Sequence, residues 1–325
     1  MVRRYGAHMP RIMKYIPLAS AALLLLSACG SSSSEPATGS TDAASTATPT
    51  TATPTTVLSP TTTAPVAESG DLSSGFAQAS WGDNVTATIE NGMLHYVSDG
   101  LPNHERQAEY ALPNGGVRVP DASSATAEAD PTVAQQYDYT IPLTPVKAAT
   151  PTSTSLGVIG VMISGASLFN PYEGDGSTVA TQSNFFVLNA AGEEVWFLDD
   201  CGGHPTPMGQ YHYHALPKCV TATIDEAGGP SHIIGIAFDG YPIYGDRDIL
   251  GTQITAADLD ECNGVTSATP EFPNGVYHYV LLDVADSTSS IRCFSGKVDS
   301  SLVSLVAMHN MGGSGGMSGP PPAKP

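Results

Sequence analysis

Glycine, proline, asparagine and aspartate cut the chain into short apolar runs, and this pattern constrains the fold more than any other feature. Runs of about four to eight residues bounded by turn-forming residues are typical of β-strands, whereas helices need longer periodic stretches. The sequence therefore predicts a mainly β domain, with antiparallel sheets joined by long loops. The clearest predicted strands cover residues 84–90, 93–98, 137–142, 157–164, 184–188, 194–198, 232–238 and 276–282.

Helical periodicity is weak, so only one or two short helices are expected. The best candidates are residues 255–263 and 298–308. Asn91-Gly92, between two predicted strands, is a typical hairpin turn. The domain is expected to span residues 71–308, a length that a single β-rich domain can reach.

The first 28 residues have the pattern of an export signal, with four basic residues before an apolar run at 16–28. The run ends in Leu26-Ser27-Ala28-Cys29, which resembles the lipobox of bacterial lipoproteins. That resemblance implies cleavage before Cys29, lipidation of its sulfur and membrane attachment through the lipid. Gly30 follows the cysteine, at the position where an aspartate would favour retention in the inner membrane of Gram-negative bacteria. The resemblance therefore points to the outer membrane or the cell surface. The alternative is an ordinary export signal with an unmodified cysteine.

Two flanking segments are predicted to be disordered. Residues 29–70 consist mainly of Ser, Thr, Ala and Pro and are expected to form a tether, and residues 309–325 form a tail rich in Gly, Met and Pro. Without the signal, eight Lys and Arg remain against 31 Asp and Glu, a net charge of −23. This acidity argues against nucleic acid as a partner and against direct binding to an anionic bilayer.

Four cysteines remain in the predicted domain once Cys29 is set aside: Cys201, Cys219, Cys262 and Cys293. An even number in an exported protein predicts two disulfides. Three pairings are open, and we favour Cys201 with Cys219 and Cys262 with Cys293. A zinc site built from Cys and His is a weaker alternative because no Cys-x-x-Cys pair occurs.

Residues 211–214 read Tyr-His-Tyr-His. In a strand, His212 and His214 would project to one face, while Tyr211 and Tyr213 would project to the other. Imidazoles one strand repeat apart can reach the same metal ion. A turn rich in Pro and Gly follows His204 and could bring that third imidazole back towards the pair.

The tetrad and several other segments resemble the YHYH family of bacterial exported proteins. The segments that match are 99–104, 157–171, 200–204, 235–245, 259–264 and 293–296. The resemblance implies a β-rich exported domain and no settled activity. The family often carries a second tetrad where this chain has Tyr277-His278-Tyr279-Val280, which lacks the last histidine.

Histidine is the commonest metal ligand, and a three-histidine set with an open fourth position suits zinc or copper. His212 and His214 would supply two ligands, and the third would come from His204, His104 or His278. Nearby carboxylates could orient the rings. The alternative is a structural strand whose imidazoles are hydrogen-bonded in the core.

A sharper hypothesis concerns His232 and Asp239, whose His-x-x-Gly-x-Ala-x-Asp spacing is similar to the zinc ligands of D-Ala-D-Ala-type peptidoglycan peptidases. With His214 as third ligand, the chain would be a hydrolase of the cell wall. The motif order is inverted, however, and no general-base glutamate is evident.

A metal-free module that adheres to surfaces, or binds glycans or proteins, is the remaining alternative. Aromatic residues such as Trp81, Trp196 and Tyr172 would form its binding surface.

Overall fold

The computed structural model describes residues 70–180 and 185–303. The predicted signal, Cys29, nearly all of the tether, the tail and the end of the helix predicted at 298–308 lie outside these residues. Within the described part of the chain, no helix is long and apolar enough to cross a membrane.

The domain is mainly β, as predicted, and its strands are short. They are β1 (Val85–Glu90), β2 (Met93–Ser98), β3 (Glu109–Pro113), β4 (Ala125–Ala129), β5 (Tyr137–Pro142), β6 (Lys147–Ser153), β7 (Val158–Met162), β8 (Ser167–Phe169), β9 (Phe186–Leu188), β10 (Glu194–Trp196), β11 (Gly203–Pro205), β12 (Tyr211–Tyr213), β13 (Ile233–Ala237), β14 (Pro242–Tyr244), β15 (Gly264–Ser267), β16 (Val276–Val280) and β17 (Cys293–Gly296). The α-helices are α1 (Ser73–Phe76) and α2 (Lys218–Ile224).

The predicted strands and the hairpin turn are found, whereas helices were harder to place. Asn91 and Gly92 both have positive φ, 53° and 72°, as a tight turn between β1 and β2 requires. The helix predicted at 255–263 is wrong in extent, because only Ala256–Asp258 forms a 3-10 turn. Asn263, with φ 70°, then turns the chain into β15. The described start of the other predicted helix, residues 300–303, is helical.

An eight-stranded mixed sheet forms the core, in the order β11-β12-β8-β7-β13-β14-β16-β15. Its central strands β7 and β13 are buried along their whole length, because both faces of the sheet are covered. That burial explains why their sequences are continuous apolar runs. A three-stranded sheet, β1-β2-β5, and the pairs β3-β4, β6-β17 and β9-β10 complete the domain.

The central sheet is an internal duplication with approximate two-fold symmetry. Strands β7, β8, β11 and β12 form one half, and β13, β14, β15 and β16 form the other in mirrored order. At the centre, Ile163 N donates to Ile234 O over 2.9 Å, and Phe238 N donates to Ile159 O over 3.0 Å. The two bonds are equivalent, because Ile163 and Phe238 occupy matching positions in the two halves, as do Ile159 and Ile234.

Each half carries one disulfide, and the favoured pairing is confirmed. Cys201 bonds Cys219 and Cys262 bonds Cys293. The first cysteine of each pair lies two residues before the outermost strand of its half, β11 or β15. The two bridges therefore hold the two edges of the sheet in a similar way.

Candidate metal centre

Three histidines meet at the β11 edge of the central sheet. His204 in β11 lies opposite His212 in β12, and His214 directly follows β12. One ligand atom from each ring lies within 4.8 Å of the others, and all three residues are buried. Because His212 and His214 are two residues apart along extended chain, they face the same side, as predicted from the tetrad.

Hydrogen bonds fix the tautomers of two of these rings. His212 Nδ1 lies 3.2 Å from Gln210 O, and His214 Nδ1 lies 2.6 Å from Asn170 O. A carbonyl oxygen only accepts, so each Nδ1 carries the proton and donates it. In both neutral rings Nε2 therefore carries a lone pair.

The two lone-pair nitrogens face each other, because His212 Nε2 and His214 Nε2 are 2.9 Å apart. Burial lowers the pKa of both imidazoles, that of His214 to about 4 and that of His212 well below its usual range. Both rings are therefore neutral at neutral pH, and neither has an Nε2 proton to share. Such a contact is unfavourable unless a cation lies between the nitrogens.

His204 completes the group. Both nitrogens of its ring are buried and have no hydrogen-bond partner among residues 70–180 and 185–303. Its ring packs against Phe197 at 4.4 Å and against His212 at 4.5 Å between centroids. A buried imidazole with two unsatisfied nitrogens costs free energy, so this ring is placed to bind a ligand from outside the chain.

A half-buried carboxylate holds β11 against β12. Asp199 Oδ1 accepts the backbone N–H groups of Cys201 and Gly203, and its Oδ2 accepts the hydroxyls of Tyr110 and Tyr211. A Cβ on Gly203 would lie 2.2 Å from the Tyr211 hydroxyl oxygen, so only glycine allows this close approach. The tyrosines of the tetrad therefore support the backbone that presents its histidines.

The three rings line a cavity of about 390 Å³ that is partly open to solvent. Phe169 forms part of the wall and stacks on His212 at 3.8 Å between ring centroids. Glu173 lines the same cavity; it is buried, and its Oε1 has no hydrogen-bond partner among the described residues. Arg118 also lines the cavity and is exposed. Sequence reasoning missed Glu173, since nothing in the Glu173-Gly174-Asp175 turn signals burial.

His104 lies near the site but has other partners. Its Nδ1 donates to Glu105 O over 2.8 Å, and its Nε2 accepts from the Tyr213 hydroxyl over 2.7 Å. It forms a second potential ligand group with Cys201 and Cys219. Those cysteines are joined in a disulfide and offer no thiolate, so this group lacks metal ligands.

His278 belongs to the other half of the sheet, where it matches His212. Its Nδ1 donates to Val276 O over 3.1 Å, as His212 donates to Gln210. Val265 lies opposite His278, in the register position that His204 has opposite His212. Val280 stands where His214 stands. This half therefore offers a single imidazole.

The structure does not bring His232 or Asp239 into the three-histidine group. His232 Nδ1 pairs with Glu271 Oε1 at 2.8 Å. Asp239 accepts from the Tyr279 hydroxyl at 2.6 Å and from Gly296 N at 2.8 Å. Its counterpart in the first half is Ser164, which contacts the Tyr213 hydroxyl at 3.0 Å. His232 and Asp239 thus each have structural partners outside the three-histidine group.

The aromatic residues considered for surface binding differ in exposure. Trp81 and Tyr172 are half-buried, and Trp81 donates to Phe76 O. Trp196 is exposed beside Phe186 in the β9-β10 pair.

The sequence model of the YHYH protein family matches residues 138–253 and 246–296. The chain belongs to the YHYH family. The match covers the whole central sheet, so both halves and all three clustered histidines lie within the YHYH domain. No curated protein and no solved structure matches this chain. The site itself must therefore supply the evidence for function.

Proposed function

We propose that this YHYH domain binds one divalent metal ion, zinc or copper, through His204, His212 and His214. The observation that carries the proposal is the 2.9 Å contact between His212 Nε2 and His214 Nε2. Both Nδ1 atoms are already committed to carbonyl oxygens, so the contact brings two lone pairs together. A metal ion turns this repulsion into two bonds and gives His204 a partner.

The spacing suits an ion bound by imidazole. Metal–nitrogen bonds of about 2.0–2.1 Å place two ligands about 2.9 Å apart at a right angle and about 3.3 Å apart in tetrahedral geometry. The observed 2.9 Å favours the square arrangement of copper(II), and a widening of about 0.4 Å would suit zinc. Three imidazole ligands would leave a coordination position for a further ligand from the cavity that they line.

We further propose that the domain is held at the cell envelope by lipid on Cys29. The lipobox-like Leu26-Ser27-Ala28-Cys29 and the acidic composition support this localisation. Two disulfides add support, because such bonds persist in oxidising compartments outside the cytoplasm. The anchor would keep the metal site on the extracytoplasmic side, at the outer membrane or the cell surface.

Metal content tests the binding proposal directly. The full-length chain would be purified from the envelope in detergent, with disulfides intact, and analysed by mass spectrometry before and after dialysis against zinc or copper. One ion per chain is expected in the parent, and none in the double variant His212→Ala, His214→Ala. His278→Ala is the matched control, because it removes the equivalent ring from the other half.

Circular dichroism and the thiol count would establish that each variant is folded and oxidised. Loss of metal from the double variant alone would support the three-histidine site. A parent without metal after dialysis would overturn the proposal. The exposed Phe186, Leu188 and Trp196 would then become the surface to test for glycan or protein ligands.

A further inference from the structure

Glu173 is a buried carboxyl whose side chain forms no hydrogen bond with the described residues. Its turn is closed by other groups, since Glu173 N donates to Thr178 O over 2.8 Å and Asp175 accepts from Ser177 and Thr178. The Glu173 side chain takes no part in these bonds. It is 7% exposed, and its Oε1 has no hydrogen-bond partner in the part of the chain that the structure describes.

The carboxyl and the three histidines line the same cavity. Glu173 is not part of the group whose ligand atoms lie within 4.8 Å of one another. It is therefore placed beyond direct coordination of an ion held by all three rings. A water molecule or substrate held in the cavity is therefore within a space that both the three rings and this carboxyl line.

Burial also sets the carboxyl's affinity for protons. Removal from water, with a smaller contribution from the Asp175 charge, raises the pKa of Glu173 to about 7. A group with a pKa near the working pH is suited to both accept and donate a proton. The Glu173 carboxyl thus combines a position in the cavity of the three histidines with a proton affinity suited to acid–base chemistry.

Arg118 indicates which substrates the cavity would admit. Among the described residues that line it, Arg118 and Glu173 carry the formal charges, and Arg118 is the exposed one. No ion pair of Arg118 occurs in the described part of the chain. In a protein of net charge −19, an exposed guanidinium in the cavity lining would attract an anionic group.

We propose that Glu173 is the general acid–base group of a hydrolytic centre that cleaves a carboxylic ester or amide bearing a second, anionic group. The proposal rests on the metal site proposed above. An ion held by His204, His212 and His214 would polarise the substrate carbonyl and the attacking water. Glu173 takes a proton from that water as the water oxygen bonds to the carbonyl carbon. The bond from that carbon to the leaving oxygen or nitrogen breaks, and the proton passes from Glu173 to the leaving group. Arg118 pairs with the anionic group and positions the substrate.

Hydrolysis of two chromogenic esters tests this in the metal-loaded full-length chain. Mono-4-nitrophenyl succinate carries a carboxylate, whereas 4-nitrophenyl acetate does not. Glu173→Gln is expected to slow hydrolysis of both by at least about 100-fold while metal content stays at one ion. Arg118→Gln is expected to remove the preference for the succinate ester. Glu261→Gln, an exposed change elsewhere, is the control and should match the parent.

A spectroscopic readout separates acid–base chemistry from general damage. In the cobalt(II)-loaded parent, the visible spectrum should change with an ionisation near neutral pH, and Glu173→Gln should shift that midpoint. Loss of metal from Glu173→Gln would show a ligand role and overturn the proposal. Unchanged hydrolysis in that variant, or a loaded parent no faster than the free ion, would also overturn it. A parent that binds no metal would instead contradict the metal site itself.

Discussion

His212 and His278 occupy equivalent positions in the two halves of the sheet and make the same local bond. Each ring donates Nδ1–H to the carbonyl two residues earlier, over 3.2 Å in one half and 3.1 Å in the other. The strand thus sets the tautomer in both halves. The neighbours differ, because His212 faces two imidazoles and His278 faces two valines.

That relationship predicts that a second metal site can be built. Val265→His with Val280→His would place three imidazoles around His278, as in the first half. We expect metal content to rise from one ion to two per chain by mass spectrometry, provided that both disulfides remain formed. The control is Val265→Ala with Val280→Ala. A folded histidine variant that still binds one ion would show that the backbone positions are not equivalent.

Metal should stabilise the folded parent. An ion that binds only the folded state at about 100 times its Kd adds roughly 2.7 kcal/mol to the free energy of unfolding. Urea unfolding with and without zinc should show this increase for the parent and not for His204→Ala. An equal increase in that variant would mean that the ion binds elsewhere.

The buried carboxyl of Glu173 should make the metal-free protein less stable at high pH. Its pKa is about 7 in the folded state and 4.5 as the ordinary value, so the folded state binds more protons between these values. The folded state is therefore destabilised as pH rises from 4.5 through 7. Glu173→Gln removes this cost, and by about 1.4 kcal/mol per pKa unit it should be more stable than the parent by up to about 3 kcal/mol at pH 8.

At pH 4 Glu173→Gln and the parent should have nearly the same free energy of unfolding, since both side chains are then neutral. Urea unfolding at several pH values measures the difference in free energy between the two proteins. If this difference in free energy is the same at pH 4 and at pH 8, the buried carboxylate is not its cause.

Gly203→Ala should disturb the metal centre without changing a ligand. The new Cβ would lie 2.2 Å from the Tyr211 hydroxyl oxygen, so β11 must move away from β12. We expect a loss of about 1–3 kcal/mol in stability and weaker metal binding, measured by urea unfolding and by titration with zinc. Gly115→Ala, with no atom within 4 Å of its new Cβ, is the control. Parent-like binding by Gly203→Ala would show that the strands tolerate the shift.

Local sequence patterns predicted most of the β architecture. The Asn91-Gly92 turn and the apolar runs of β7 and β13 are local signals, because turn chemistry and burial act on neighbouring residues. Helix α2 was missed, since its seven residues are too few to show a period. The two-fold arrangement was also missed, because strand order depends on pairing between distant segments.

The sequence by itself determined that the chain is β-rich, and the alternation of the tetrad placed His212 and His214 on one side. Only the tertiary structure decided which third histidine joins them. His204 was chosen over His104 and His278 by the register of β11 on β12, a pairing held by Asp199, Gly203 and the Cys201–Cys219 bridge. Glu173 enters the cavity for the same reason, because burial follows from packing between segments and leaves no trace in local spacing.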